Sequence, residues 1–170
     1  MRTLRRAVVL SALSMVFCLT PSCVPTPSQT VPVPFDVHNG YFVSNQFEPD
    51  APTSFVVVKD QKAFDKVFGV AMVMGDKSLR LPPDAFEKGI VVAAIHRGKA
   101  VWEYKVENVV MDGKTLIVRY STTAKPSETA EFACPLIVSV QKEDKDWTAV
   151  QFVEDGKLAK RVEIGSSALP

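Results

Sequence analysis

The chain has 170 residues, of which 46% are hydrophobic and 23% charged, with 20 basic and 19 acidic side chains. This length and apolar content suit one domain with a substantial hydrophobic core plus short extensions. The formal charge of +1 lacks the basic surplus that is typical of nucleic-acid-binding proteins, so we predict no nucleic-acid partner.

Residues 1–22 have the pattern of an export signal. Arg2, Arg5 and Arg6 form a basic start, and the apolar residues 7–20 are too few for a comfortable membrane span. Removing this segment takes away three arginines and no acid, which would leave the mature chain with a formal charge of about −2. We therefore expect an exported protein.

Cys23 stands where a bacterial lipobox places its lipidated cysteine. The preceding residues 19–22 resemble that motif, although Thr20 replaces the usual leucine and Pro21 is atypical. Residues 23–37 are rich in proline and are predicted to form an extended tether. We expect lipidation of Cys23 and a membrane-anchored protein of the cell envelope. Ordinary cleavage near residues 21–23 would instead give a soluble secreted or periplasmic protein.

Residues 38–164 are predicted to form one domain, organised around three consecutive strands in residues 89–124. In residues 90–95 both alternating sets of side chains are apolar, which predicts a strand covered on both faces. The next strand alternates Trp102, Tyr104 and Val106 with charged residues, which predicts one buried and one exposed face. Further strands are predicted at residues 41–47, 54–59, 132–141, 147–153 and 158–164.

One substantial helix is predicted between these strands. Asp60 can N-cap a helix that runs to about Met74, because Phe64, Val67 and Phe68 share one face at a spacing of 3.6 residues. A single helical turn is predicted at residues 84–88, and residues 165–170 form a disordered tail. The fold class is therefore predicted as α+β, with one main helix packed on a mostly antiparallel sheet of six to eight strands.

Two Asp-Gly-Lys sequences predict hairpin turns. A three-residue loop at residues 112–114 would place Val106 opposite Tyr120 and Val110 opposite Leu116, whereas a two-residue loop would pair charged with apolar residues. By the same reasoning, a three-residue loop at residues 155–157 would pair Val150 with Val162.

The sequence offers few residues for catalysis or metal binding. His38 and His96 are its two histidines, and neither lies at a ligand spacing from a cysteine or from another histidine. No motif for a nucleophilic serine, a phosphate or a dinucleotide occurs. We predict no catalytic residues, no metal and no cofactor. If Cys23 is acylated, Cys134 is an unpaired thiol that is expected to pack as a small hydrophobic side chain.

Five residues are candidates for binding a partner. The turn containing His96, Arg97 and Lys99 is cationic and could bind an anion, or it could simply be solvated. Trp102 and Tyr104 follow this turn. They could pack in the core, but near a sheet edge they would also suit a protein interface.

The order of these elements resembles the C-terminal domain of the protease-complex stability subunit, PrcB. The resemblance covers about residues 54–164 and runs through SFVVVKDQKAFDKVF, GIVVAAIHRGKAVWEYKV, VVMDGKTLIVRYSTTA and CPLIVSV. Members are typically exported and often lipid-anchored bacterial proteins. The resemblance implies a non-catalytic subunit that binds and stabilises a secreted protease. The family commonly has Gly-Gly-Tyr after the turn, whereas Trp102 and Glu103 precede Tyr104 here, so only Tyr104 carries over.

These observations predict an exported, lipid-anchored and non-enzymatic module. Its partners would be the membrane, through Cys23, and another envelope or secreted protein such as a protease. The alternative hypothesis is a domain that binds a small ligand or a polysaccharide, with Trp102 or Trp147 as the stacking platform.

Overall fold

The structure is a computed structural model that describes residues 30–71, 77–142 and 147–165. Within these residues, 60% lie in strands and 9% in helices. The strands are β1 Val31–Pro32, β2 Phe35–His38, β3 Tyr41–Val43, β4 Thr53–Val58, β5 Phe68–Val70, β6 Gly89–Gly98, β7 Ala100–Asp112, β8 Thr115–Pro126, β9 Phe132–Gln141, β10 Ala149–Glu154 and β11 Lys157–Glu163. The helices are α1 Gln61–Val67 and α2 Ala85–Lys88.

Two sheets make up most of the described fold. The first has the strand order β1-β7-β8-β10-β11, and the second has the order β2-β9-β6-β4. Strands β3 and β5 form a separate antiparallel pair. Neighbouring strands in the two large sheets are antiparallel, except that β8 and β10 run parallel.

The main hydrophobic core lies between the two large sheets. The second sheet contributes Ile90, Val92 and Ala94 from β6 and their neighbours on β9, while the first sheet contributes residues such as Leu116 and Phe152. Each of these side chains belongs to an alternating set that faces the opposite sheet. The two sheets are therefore held together by one shared apolar layer.

A second core covers the other face of β6. Val91, Ala93 and Ile95 pack there with Phe64 of α1 and with Phe68 of β5. Strand β6 also has a neighbouring strand on each side, since it pairs with β4 and with β9. The prediction that residues 90–95 form a strand buried on both faces is confirmed.

The predicted fold class is wrong, because strands dominate and no main helix covers a single sheet in the described residues. The Asp60 side chain does accept the Ala63 N–H as an N-cap, but α1 ends at Val67. The next three residues form β5, which pairs with β3. A Cβ atom on Gly69 would lie 2.2 Å from Phe42 Cζ, so the aromatic ring occupies the space above this glycine. The predicted end of the helix near Met74 lies outside the described residues.

The two hairpins close with two-residue turns, so the predicted three-residue loops are wrong. Asp112 pairs with Thr115 and Glu154 pairs with Lys157. Each hairpin then contains a bulge, which shifts the register by one residue. After the bulges Val106 lies opposite Tyr120 and Val150 opposite Val162, as predicted. Val110 lies opposite Ile117 and not opposite Leu116.

The folded part begins before the predicted boundary at residue 38. Strand β1 and all of β2 except His38 lie within the segment predicted as a tether, and Val33 between them is buried in the main core. The predicted turn at residues 84–88 is confirmed as α2. Among the described residues, no helix is both long enough and apolar enough to cross a membrane. The predicted signal segment, Cys23 and residues 166–170 lie outside the described residues.

Candidate functional site

Arg97 holds a loop against the end of β6. Its guanidinium donates to the carbonyl oxygens of Ala51 and Phe47, at 3.1 and 2.9 Å, and to Ser54 Oγ at 2.7 Å. The same group lies 5.9 Å from the centre of the Phe47 ring. Arg97 therefore forms its hydrogen bonds within the fold. In the predicted cationic turn, Lys99 is the exposed charge.

His96 lies on the neighbouring position and is buried, with 7% of its surface exposed. Its ring stacks on the indole of Trp102, with ring centres 4.6 Å apart and an angle of 25° between the planes. Its Nδ1 atom lies 3.0 Å from the Tyr104 hydroxyl, and its Nε2 atom lies 3.2 Å from Glu154 Oε1. The structure thus brings together three of the predicted binding residues, His96, Trp102 and Tyr104. His96 contacts the other two inside the fold.

The Tyr104 hydroxyl joins β6 to β9. It accepts the backbone N–H of His96 at 3.3 Å and donates to the carbonyl oxygen of Cys134 at 2.6 Å. Burial raises the pKa of Tyr104 well above its usual value, so the hydroxyl keeps its proton. Tyr104 therefore acts as a polar tie between two strands of the second sheet, although it belongs to the first.

Glu154 is the acceptor at the centre of this cluster. Besides His96, it receives a hydrogen bond from the Tyr120 hydroxyl at 3.2 Å and one from Thr122 Oγ1 at 3.1 Å. Asp155 closes the cluster, because it accepts the Thr122 backbone N–H at 3.1 Å and lies 2.9 Å from Thr122 Oγ1. We call these six residues the polar network: His96, Tyr104, Tyr120, Thr122, Glu154 and Asp155.

The ionisation of His96 is set by opposing effects. Burial lowers the pKa of His96 from its usual 6.5, and the carboxylates of Glu154 and Asp155 oppose that shift. A neutral imidazole with its proton on Nε2 donates to Glu154, which then accepts from three donors. In this tautomer the Tyr104 hydroxyl lies beside two acceptors, Cys134 O and His96 Nδ1. Its single proton can serve only one of them at a time.

His38 is the second histidine, and it also bonds within the fold. Its Nε2 atom lies 2.7 Å from Ser139 Oγ on β9, and its Nδ1 atom lies 3.3 Å from the carbonyl oxygen of Leu79. Burial lowers the pKa of His38 as well. His38 thus links β2 to β9 and to the segment before α2.

Among the described residues, three cavities lie away from the polar network and are lined by other side chains. One of them, of about 290 Å³, lies beside Arg97, Gly98 and Phe132. The Cys134 thiol accepts the Trp102 backbone N–H at 3.4 Å and is half-buried. Among residues 30–71, 77–142 and 147–165, no group of three His, Cys, Asp or Glu side chains could hold a metal ion.

Both tryptophans differ from the exposed stacking platform of the alternative hypothesis. Trp147 is 7% exposed and packs in the main core. Trp102 is half-buried and stacks on His96. Both indole nitrogens are buried without a hydrogen-bond partner. Trp147 also borders a cavity of about 320 Å³, together with Lys59 and Lys142.

Sequence reasoning missed Tyr120, Thr122, Glu154 and Asp155. A signal for two of them was present, since Glu154 follows Val150 and Phe152 at alternate positions, and Tyr120 follows Leu116 and Val118 in the same way. A polar side chain on the buried face of a strand needs a partner in the core. The identity of that partner depended on the parallel pairing of β8 with β10, which the local sequence does not encode.

Comparisons with protein-family models, with curated proteins and with solved structures found no match. The resemblance to the protease-complex stability subunit therefore stays a prediction.

Proposed function

We propose that this protein is an exported, lipid-anchored and non-catalytic binding module, which contacts another envelope or secreted protein such as a protease. The anchor would be Cys23, and no cofactor is required. The proposal rests on the contacts that polar and apolar side chains make near the β6–β7 turn. His96, Arg97 and Tyr104 bond to other parts of the fold, whereas apolar side chains beside them remain exposed.

The proposed contact surface consists of Lys99, Val101 and Phe132. Val101 and Phe132 each leave 37% of their surface exposed, and Phe132, the first residue of β9, pairs with Gly98 at the end of β6. Phe132 also borders the cavity beside Arg97. Exposed apolar side chains next to a rigid, hydrogen-bonded turn are suited to protein contacts, because little ordering is needed on binding.

The alternative function, binding of a small ligand or polysaccharide, has weaker support in the site. A stacking platform needs an exposed indole, and the Trp147 side chain is buried. The cavity beside Trp147 is the feature that favours this alternative.

A crosslinking experiment tests the proposed contact surface. A photo-crosslinking amino acid is placed at Phe132 in the full chain, in the native host, and at Leu158 as the matched control. Leu158 is 61% exposed and lies on β11. We expect an exported protein to be crosslinked from position 132 and not from 158. The absence of any position-specific product would contradict the proposal.

The anchor is tested separately. Mass spectrometry of the mature N-terminus should find Cys23 acylated, and Cys23→Ser should release the protein from the membrane fraction. A mature chain that begins at an unmodified residue would disprove lipidation and leave the contact surface to be judged by crosslinking alone.

A further inference from the structure

Strand β7 has an open edge in the described structure. On one side β7 pairs with β8 along nearly its whole length. On the other side β1 pairs only with Val110 and Met111, and Val33 adds a bond to the Val109 carbonyl. Towards the start of β7, strand β9 packs alongside, and the Trp102 N–H bonds to the Cys134 thiol of β9. Among the residues that the structure describes, no strand covers the stretch between Glu103 and Glu107.

The backbone groups at this edge can be assigned from the hydrogen-bond alternation. Successive N–H groups of an antiparallel strand point to opposite sides. The Trp102 N–H points away from β8, towards β9, so the N–H groups of Tyr104 and Val106 also point away from β8. The Thr122 N–H, opposite Tyr104, points away from β7 to Asp155, which agrees with this assignment.

The exposed face of the edge carries an alternating set of charges. Glu103, Lys105 and Glu107 are exposed, and Glu103 also pairs with Lys125 of β8. Tyr104 and Val106 turn their side chains towards the main core. A strand added beside β7 would place its own outward side chains next to these three charges. The complementary pattern is basic, any, acidic, any, basic, since opposite charges across strands stabilise the pairing.

We propose that the β7 edge binds an extended segment of a partner protein by adding it to the first sheet, and that the segment alternates basic, acidic and basic side chains opposite Glu103, Lys105 and Glu107. This inference rests on the proposed function and names the chemistry of its partner. The bulge at Glu107 and the strand β1 limit the added segment to about five residues. Main-chain hydrogen bonds would supply affinity, and the charges would set specificity.

Two synthetic peptides test the inference on the full mature chain. The first is acetyl-Thr-Lys-Val-Glu-Val-Lys-Thr-amide, and the second has its three charges reversed. Binding is followed by NMR through the amide signals of Tyr104 and Val106. We expect the first peptide to bind about tenfold more tightly, because three charge pairs change sign. In the absence of peptide, both amides should exchange with solvent more rapidly than those of β6.

Two sets of variants test the contributions of backbone hydrogen bonds and of side-chain charges to peptide binding separately. Val106→Pro removes an outward N–H and leaves the bonds to β8, so it should abolish peptide binding, whereas Val106→Ala should retain it. The triple variant Glu103→Lys, Lys105→Glu and Glu107→Lys changes only exposed side chains and loses the surface ion pair of Glu103 with Lys125, which contributes little to stability. It should therefore fold normally and prefer the second peptide.

Several outcomes would overturn the inference. These are equal binding of the two peptides, no binding of either at millimolar concentration, an unchanged preference in the triple variant, or protection of the Tyr104 and Val106 amides in the free protein. If any of these occurs while crosslinking from Phe132 still succeeds, the proposed function stands and the edge is not its contact. If peptide binding succeeds and crosslinking fails, the edge is a contact and the surface around Phe132 is not.

Discussion

The polar network makes a quantitative prediction for Glu154→Ala. Glu154 accepts from His96, Tyr120 and Thr122, and Thr122 has Asp155 as a second acceptor. The substitution therefore leaves two buried donors without a partner, on His96 and on Tyr120. Each unpaired buried donor costs about 1–3 kcal/mol, so we expect the free energy of unfolding to fall by about 2–6 kcal/mol.

A double-mutant cycle identifies the origin of this loss. Tyr120→Phe alone removes one hydrogen bond and should cost about 1 kcal/mol. In the Glu154→Ala background the same change removes an unpaired hydroxyl, so it should be neutral or stabilising, and the difference measures the coupling. Urea unfolding, followed by tryptophan fluorescence, gives each free energy.

The matched control is Glu163→Ala. Glu163 is an exposed acid whose side chain pairs with Arg161, and its removal should change stability by less than about 0.5 kcal/mol. A Glu154→Ala protein that is as stable as the Glu163→Ala protein would refute the reasoning, because the network would then contribute nothing.

Two further predictions concern pH and packing. Burial lowers the pKa of His96 and of His38, so each binds its proton more readily in the unfolded chain. The free energy of unfolding should therefore fall as pH drops through about 6.5, by up to ~1.4 kcal/mol per pH unit for each histidine, and His96→Gln should reduce that slope. An unchanged slope in urea titrations between pH 7.5 and 5.5 would contradict the assignment. Gly89→Ala should lower stability by about 1–3 kcal/mol, because its Cβ would lie 2.2 Å from the Val140 carbonyl oxygen. A Cβ on Gly165 meets no atom of the described residues within 4 Å, so Gly165→Ala should leave the thermal midpoint unchanged. Equal midpoints for both glycine variants would contradict this prediction, because they would mean that β9 can move away at Val140 without loss of stability.

The sequence predicted individual strands better than it predicted their arrangement. The apolar runs in β6 and the alternation in β7 are local signals, and both were interpreted correctly. The cross-strand pairs of Val106 with Tyr120 and of Val150 with Val162 were also correct, since the apolar pattern determines which residues share a face. The loop lengths were wrong because a bulge can restore the same pairing after a shorter turn.

The helix was overextended because its signal is ambiguous at the end. Phe64, Val67 and Phe68 are all buried, as a helical face would require. Phe68 can be buried just as well from a strand, and pairing with β3 places the Phe42 ring over Gly69. A distant segment therefore decided the conformation of residues 68–70, which is a tertiary effect that a local spacing rule cannot include.

The candidate site was predicted only in part for the same reason. Arg97, Trp102 and Tyr104 are near His96, as their short separation in the chain suggests. Which of these side chains stay exposed depends on distant partners. Glu154 contacts His96, and the loop around Ala51 contacts Arg97. Whether a polar side chain serves the fold or a partner is decided by such distant contacts.

Tyr104 shows how one residue can serve both the fold and a partner. Its hydroxyl ties β6 to β9, while its backbone N–H faces the open edge of β7. If a partner strand is added at that edge, it contacts backbone groups, and these carry no residue-specific signal in the sequence. The absence of a binding motif is then expected, because the side chains at the edge need only keep β7 in place and supply alternating charges. Tyr104→Phe should accordingly weaken the peptide binding proposed above only as far as it loosens β7. A Tyr104→Phe protein of unchanged stability that has lost peptide binding would contradict binding through the backbone of the edge.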